Sequence, residues 1–234
     1  MRTIAWLLAT ACIASLLAAP AAAPSELAAL EQAVAAQPEN LRLAADYRQA
    51  IIRIADPDRS IRFLDQLAQR SRGPNVQISL ALAYVDKVPT SGDIRRLYLG
   101  RDAVNALTKS IERQPSVLAY YVRGLINLYY NRFIFHRVPR GIADLEKARS
   151  MVTSATPDGL VRRVYVALGD GHFKVGETSQ AHDVWAAGLA RFPNDSTLRL
   201  RLAKQGRDLY YVVTDALDPG TRVDTSLIGL LPAP

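Results

Sequence analysis

Residues 165–193 read YVALGDGHFKVGETSQAHDVWAAGLARFP, and this stretch decides the fold. Leu168 and His172 are four residues apart, which places both on one stripe of a helix. Gly169 is small enough for a second helix to cross closely at that point. Gly176 can take the positive φ that ends a helix. The first half of the stretch therefore predicts a helix that packs tightly and stops at a glycine.

The second half of the stretch predicts a partner helix. Thr178 or Ser179 can cap its start, and Pro193 stops it. Its buried face would consist of Ala181, Trp185 and Gly188. Each residue type has a physical role in a helix-turn-helix pair.

These spacings resemble one unit of the tetratricopeptide repeat (TPR) family, a helix-turn-helix repeat of about 34 residues. The resemblance implies a helical solenoid, and such solenoids usually hold other molecules rather than catalyse reactions. Three further copies precede the clear one. Their first helices carry Leu43, Ala44 and Tyr47, then Gln77, Leu80, Ala81 and Tyr84, then Tyr120, Gly124 and Leu128. Their second helices carry Ser60, Leu64 and Leu67, then Ala103, Leu107, Ser110 and Pro115, then Gly141, Leu145 and Ala148.

Two connections are longer than the family pattern. Residues 86–100 contain about ten residues too many for the repeat, so we expect this segment to loop out, and residues 131–140 form another long connection. Residues 25–36 and 196–217 are each expected to form one capping helix. The predicted fold is therefore an all-α, TPR-like right-handed helical solenoid of about four helix pairs, with N-terminal and C-terminal capping helices.

The predicted organisation has five parts. They are a signal peptide (1–21), an N-terminal helix (22–37), the TPR-like repeats (38–193), a capping helix (194–217) and a C-terminal tail (218–234). The tail opens with a Pro-Gly turn and ends in an apolar run. We expect it to dock on the last helix pair, with a partner-binding motif as the alternative.

The N-terminus indicates export. Arg2 precedes an almost wholly apolar run over residues 4–19, and Ala19-Pro20-Ala21 offers small residues for cleavage before Ala22. A retained anchor and a lipid-bearing Cys12 are the alternatives. Cys12 is the only cysteine, so cleavage leaves no thiol for disulfides or zinc. The expected location is the periplasm of a Gram-negative bacterium.

The chain is basic, with a net charge of +7, or +6 once Arg2 is removed with the leader. In an exported protein this balance favours an acidic partner, anionic lipid headgroups or solubility rather than nucleic acid. No nucleic-acid partner is therefore predicted.

The TPR resemblance places a binding groove on the first helix of each pair. Its predicted partner-binding residues are Tyr121, Tyr129, Arg163, Asp170, Phe173, Lys174 and Arg207. The same row begins with Arg48, Gln49, Ile78, Leu82 and Asp86 and includes Leu125. An apolar, aromatic centre with charged ends suits an extended peptide or an amphipathic helix. Packing of the tyrosines against neighbouring helices is the alternative.

A second candidate surface is the aromatic and basic connection at 131–140. Its predicted contact residues are Arg132, Phe133, Phe135 and Arg137. Adjacent large apolar side chains are costly on an exposed loop unless they contact a partner or a membrane surface. The alternative is that both phenylalanines fold back onto the protein. Arg95, Arg96, Tyr98 and Arg101 have a similar character and could join them in one patch.

The sequence predicts no catalytic site, no metal site and no cofactor. The three histidines, His136, His172 and His182, lack metal-ligand spacing, and no nucleophile motif is present. We expect His172 to be partly buried and His182 to face outward.

The predicted function is a non-catalytic adaptor or scaffold that binds a protein or peptide in the envelope. The alternative is a small-molecule or lipid-handling module beside an envelope transporter, which a closed apolar tunnel would favour over an open groove.

Overall fold

The computed structural model of the chain describes residues 24–130, 136–218 and 223–232. Across these residues the chain forms eleven α-helices and one short 3₁₀ helix, and contains no β-strand. The predicted all-α fold class is confirmed.

The helices follow one another with short connections. In chain order they are α1 (Pro24–Ala36), α2 (Leu41–Arg53), α3 (Pro57–Arg70), α4 (Pro74–Lys87), α5 (Asp93–Arg113) and α6 (Val117–Tyr129). The remainder are α7 (Val138–Ser150), α8 (Asp158–Val175), α9 (Thr178–Arg191), α10 (Ser196–Ala203) and α11 (Gly206–Ala216). The 3₁₀ helix, Val88–Thr90, lies between α4 and α5.

Side-chain caps fix the start of several helices. Asn40 accepts hydrogen bonds from the first-turn amides of α2, and Asp56 does so for α3. Ser116 and Asp195 cap α6 and α10 in the same way. These bonds satisfy amides that have no partner within the helix, so local residues determine where each of these helices begins.

The helices pack as consecutive pairs: α2 with α3, α4 with α5, α6 with α7, and α8 with α9. The first helices of neighbouring pairs also touch, α2 with α4 and α6 with α8. Each pair therefore buries its apolar face against the next, and one continuous core runs along the stack. The predicted helical solenoid of four pairs is confirmed.

Three side chains fasten α1 to the first pair. Arg59 on α3 donates two hydrogen bonds to the Glu31 carboxylate, at 2.8 and 3.1 Å, and the Tyr47 hydroxyl donates a third at 2.9 Å. The bond from Arg59 is the main reason that the pKa of Glu31 lies below its ordinary value, although partial burial opposes this. The N-terminal helix is thus bound by charge as well as by apolar contact.

Glycines permit the closest helix crossings. A Cβ atom at Gly169 on α8 would lie 2.2 Å from the indole nitrogen of Trp185 on α9, whose side chain is fully buried. At the preceding pair, a Cβ atom at Gly141 would lie 2.8 Å from the carbonyl oxygen of Gly124. Gly176 ends α8 with a φ of +92°, as its position predicts.

The expected loop at residues 86–100 is wrong. The α4 helix continues to Lys87, the 3₁₀ helix follows, and α5 already begins at Asp93. The additional residues lengthen α5 to 21 residues and bury Leu99 completely. A longer helix satisfies its own backbone hydrogen bonds, which an extended loop would have to satisfy elsewhere.

The C-terminal cap also differs from the expectation. Two helices, α10 and α11, replace the single helix expected over residues 196–217. The chain is extended at Lys204 and Gln205, and Gly206 has a φ of +53°. This left-handed glycine turns the chain, so that α11 leaves the direction of α10.

Details of the α8–α9 turn depart from the sequence expectation as well. Glu177 rather than Thr178 or Ser179 is the N-cap residue of α9, and its side chain makes no capping bond. The Glu177 carboxylate instead lies 2.6 Å from Nδ1 of His172, whose side chain is mostly buried as expected. His182 does not simply face outward, because its ring packs edge-on against Trp185 at 5.7 Å between centroids.

The crossing at Gly169 yields a test of packing. Within a helix alanine is more favourable than glycine by about 1 kcal/mol, yet we expect Gly169→Ala to lower the free energy of unfolding by about 1–3 kcal/mol because its methyl group collides with the indole ring. Urea denaturation measures the change. Gly92→Ala is the control, since its Cβ atom meets no atom within 4 Å. A Gly169→Ala protein more stable than wild type would contradict the packing.

Candidate functional site: the groove and the C-terminal tail

The candidate site is the groove, defined here as the surface formed by α2, α4, α6 and α8, the first helix of each pair. Five predicted residues meet on one wall of it. Tyr121 and Tyr129 project from α6, and Arg163, Phe173 and Lys174 project from α8. Whether these residues bind a partner stays a prediction.

The described part of the C-terminal tail, residues 223–232, crosses the groove. As expected it contacts the last helix pair, through α8, but it also reaches α2 and α4. The adjacent residues Asp224 and Thr225 contact the last and the first of these helices, α8 and α2, and the chain then turns at residues 227–230. The groove therefore contains a peptide segment of the chain itself.

The deepest anchor of the tail is a buried ion pair. Arg48 on α2 and Asp86 on α4 lie 2.9 Å apart, and both side chains are almost completely buried. Arg48 also donates a hydrogen bond of 2.7 Å to the carbonyl oxygen of Thr225, and the Thr225 hydroxyl donates to Asp86. The tail thus supplies a hydrogen-bond partner to each of the two buried charges.

A second anchor joins the tail to α8. Arg163 donates a 3.0 Å hydrogen bond to the carboxylate of Asp224, and the amide of Ser226 donates another of 3.0 Å. Partial burial alone would raise the pKa of Asp224. The bonds from Ser226 and Arg163 outweigh it and hold that pKa below its ordinary value. The carboxylate form is therefore the one that the site stabilises.

Apolar and backbone contacts hold the remainder of the tail. Leu227 and Leu230 are buried, and the carbonyl oxygen of Gly229 lies 2.1 Å from the position that a Cβ atom at Gly159 would occupy. Arg42 on α2 donates to the carbonyl oxygen of Pro232 at 2.8 Å. Leu227 has a φ of +61°, an unfavourable value for a leucine, so these contacts impose the local backbone conformation.

The tyrosines of α6 pack largely against the protein. Burial raises the pKa of Tyr121, whose hydroxyl lies near the Arg163 guanidinium. The Tyr129 hydroxyl donates to the carbonyl oxygen of Ala216 at 3.2 Å, and burial raises the pKa of Tyr129 to about 12. The packing alternative placed these hydroxyls in water, but both lie beside protein groups.

The other predicted groove residues differ in their exposure and in the contacts that they already make within the protein. Asp170 is 2% exposed and pairs with Arg201 on α10 at 2.5 and 2.6 Å, so its charge is already used to join α10 to α8. Phe173 packs near Trp185, and Lys174 donates to the carbonyl oxygen of Leu128. Arg207 is exposed near the start of α11 and lines neither of the cavities described below.

The predicted loop patch lies mainly outside the described residues, which omit Arg132, Phe133 and Phe135. Arg137 is described, and its guanidinium lies over the ring of Tyr130 at 4.7 Å. The Tyr130 hydroxyl donates to the carbonyl oxygen of Leu97 in the first half of α5. The two basic and aromatic segments compared in the sequence therefore meet at Tyr130.

Two cavities adjoin the groove. The larger, about 910 Å³, lies between α4, α5, α6, α11 and the tail, and the smaller, about 440 Å³, lies near Asp170 and Arg201. The sequence pointed to α11 only through Arg207, which is not in the lining, and it did not point to the tail as a cavity wall. Within the described residues no cluster of three metal-ligating side chains occurs, and no described helix could span a membrane.

Comparison with known proteins supports the fold. The chain is similar to the crystal structure of a thermophilic TPR protein from Thermus thermophilus, with a TM-score of 0.56 and 19% sequence identity. The match covers 76% of this chain and 88% of the other. No family model matches the sequence, and no curated protein is significantly similar to it. The resemblance predicted from residues 165–193 is confirmed at the level of the fold.

The buried anchor gives a prediction for tail docking. Arg48→Met leaves the Asp86 carboxylate buried without its cation, so we expect a loss of about 3–5 kcal/mol in the free energy of unfolding. Urea denaturation measures this loss, and limited proteolysis with mass spectrometry should show faster cleavage within the tail.

Two matched variants define the outcome of that test. Arg207→Met removes the same charge from an exposed position and should leave both readouts near wild type. Arg48→Met combined with Asp86→Leu should recover much of the lost stability, because no isolated charge remains buried. If Arg48→Met alone had the same free energy of unfolding as Arg48→Met combined with Asp86→Leu, the ion pair would not be what holds the tail.

Proposed function

Since the chain has the fold of TPR proteins, we propose that it is a non-catalytic scaffold whose groove holds an extended segment of a protein partner. One observation carries the proposal: the groove already holds a peptide segment, the chain's own tail, through an ion pair, hydrogen bonds and buried leucines. A surface that can satisfy one peptide segment in this way is suited to another of similar chemistry.

The contacts of the tail specify the chemistry of the partner segment. Arg163 favours a carboxylate, and the next residue would supply a carbonyl oxygen to Arg48 and a hydroxyl to Asp86. Apolar side chains would then occupy the places of Leu227 and Leu230. The favoured segment therefore reads acid, Ser or Thr, any residue, apolar, any two residues, apolar.

The tail also controls access to the groove. A tethered segment competes at an effective concentration that is commonly millimolar for short flexible connections. A partner must therefore bind more tightly than the tail does, or meet a chain whose tail has been displaced. The competition makes partner exchange selective, because weakly matched segments cannot displace the tail.

We further propose that the protein works in the bacterial envelope. The apolar run over residues 4–19 and the small residues before Ala22 support export, and they lie outside the described residues. Delivery of a client to an envelope complex would suit a scaffold there.

A second candidate function is the handling of an apolar small molecule. The specific observation in its favour is the cavity of about 910 Å³, which lies within the range of ligand sites. The tail partly closes this cavity, so the groove is less open than a simple peptide-binding surface would be. This candidate and the peptide scaffold are compatible in one molecule.

The peptide proposal is tested by weakening the tail in the full chain. We expect the Leu227→Asp/Leu230→Asp variant to bind a labelled synthetic peptide of residues 218–234 at least tenfold more tightly than wild type does, because its own tail competes poorly. Fluorescence anisotropy measures binding. Ile228→Asp is the matched control, since Ile228 is 78% exposed, and it should behave as wild type. Failure of the folded double variant to bind the peptide would exclude the groove as a peptide site.

Export is tested by fractionating a Gram-negative host that expresses the full chain. The periplasmic product should begin at Ala22 by mass spectrometry. Leu8→Arg with Leu16→Arg should keep the chain unprocessed in the cytoplasm, because charges interrupt the apolar run. Thr3→Arg, which adds charge before that run, should still be processed. A lipid-bearing product starting at Cys12, or unprocessed wild type, would contradict the assignment.

A further inference from the structure

The larger cavity lies in the groove beside the docked tail. Its lining comes from α4, α5, α6, α8 and α11 and from the tail itself. Its exposed lining residues include Leu97 on α5, Thr178 on α9 and Tyr210 on α11, so the cavity is open to solvent beside these helices. A molecule that enters there would meet the inner side of the docked tail.

The wall of this cavity is predominantly apolar. Its side chains come from four different parts of the chain and include Leu82, Val122, Leu125, Ile126, Val213 and Leu227. Most of these are buried from solvent by the rest of the protein. An apolar ligand would therefore gain contacts along its whole length.

Several polar groups of the wall have partners within the protein. Tyr129 donates to Ala216, and Tyr130 donates to Leu97. Arg163 is paired with Asp224. A ligand is thus not required to complete any of these hydrogen bonds, and a polar ligand would leave its own groups without partners.

The charges around the cavity disfavour a charged ligand. The cations of the described lining already bond protein oxygens: Arg96 with Val88 and Asp93, Arg163 with Asp224, and Lys174 with Leu128. Asp93, Asp215, Asp218 and Asp224 also line the cavity, so the lining carries both signs of charge. A charged head group of either sign would therefore meet repulsion as well as attraction, and would have to leave water for a mostly apolar wall.

From this geometry we infer that the cavity binds a single uncharged aliphatic chain, such as that of a long-chain alcohol or an uncharged lipid. The chain lies against α4 and α6, and its uncharged polar end points to the opening near Leu97 and Tyr210. This inference rests on the small-molecule function proposed above, because it uses the same cavity.

The ligand and the tail are thermodynamically linked. Leu227 and Leu230 form part of the wall, so a bound chain contacts the tail only while the tail is docked. Binding therefore stabilises the docked tail. By the same linkage, a peptide that displaces the tail weakens ligand binding by the same factor.

The test uses the full chain after leader removal and the uncharged fluorophore N-phenyl-1-naphthylamine. We expect saturable binding of one fluorophore per chain and its displacement by 1-dodecanol. Laurate and dodecyltrimethylammonium have the same chain length but carry charge, and each should need at least tenfold higher concentrations. Equal displacement by laurate, or no saturable binding, would overturn the inference.

Two variants locate the binding. Leu125→Trp puts an indole ring into the cavity and should weaken dodecanol binding at least tenfold. Leu200→Trp makes the same change at a residue that is 43% exposed on α10, and should bind as wild type does. Circular dichroism checks folding, and Val85→Trp on α4 replaces Leu125→Trp if that variant does not fold. Unchanged binding by a folded cavity variant would place the fluorophore elsewhere and reject the site.

Discussion

The buried contact among Arg48, Asp86 and Thr225 is the constraint on which the groove depends. Removing two charges from water is costly, and the cost is recovered only when each charge keeps good hydrogen-bond partners. Here α2 supplies the cation, α4 supplies the anion, and the tail supplies a carbonyl oxygen and a hydroxyl. Without a peptide in this position, both charges lose a partner. The groove is therefore built for an occupied state, whether the occupant is the tail or a partner segment.

A second buried ion pair, Asp170 with Arg201, serves a different purpose at the other end of the stack. Both of its members belong to helices, and it joins α8 directly to α10. The helical stack is closed by contacts between helices, whereas the groove is closed by a segment outside the helices. In the proposed function only this segment leaves its place when a partner binds.

The sequence predicted the features that depend on neighbouring residues. Gly169, Gly176 and Trp185 could be assigned because a helix crossing and a helix end each follow from local spacing. The helical start of α5 was missed because the repeat pattern has about ten fewer residues here, so the additional residues were assigned to a loop. The contacts of the tail with α2 and α4 were missed for a different reason: Asp86 and Thr225 are 139 residues apart, and no periodicity relates them. Of the predicted groove residues, Tyr121, Tyr129, Arg163, Phe173 and Lys174 lie together, whereas Asp170 pairs with Arg201, and these partners could not be known from the sequence.

The docked tail has opposite effects on the two proposed ligands: it blocks the partner peptide and helps to bind the aliphatic chain. A partner peptide needs the place that the tail occupies, whereas an aliphatic chain needs the tail as a wall. Occupation of the cavity therefore raises the free energy required to open the groove, and emptying the cavity lowers it. The size of this effect equals the difference in ligand affinity between the two tail positions, so it is largest for a chain long enough to reach Leu227 and Leu230. A scaffold of this design would take up its protein partner most readily after its apolar ligand has left.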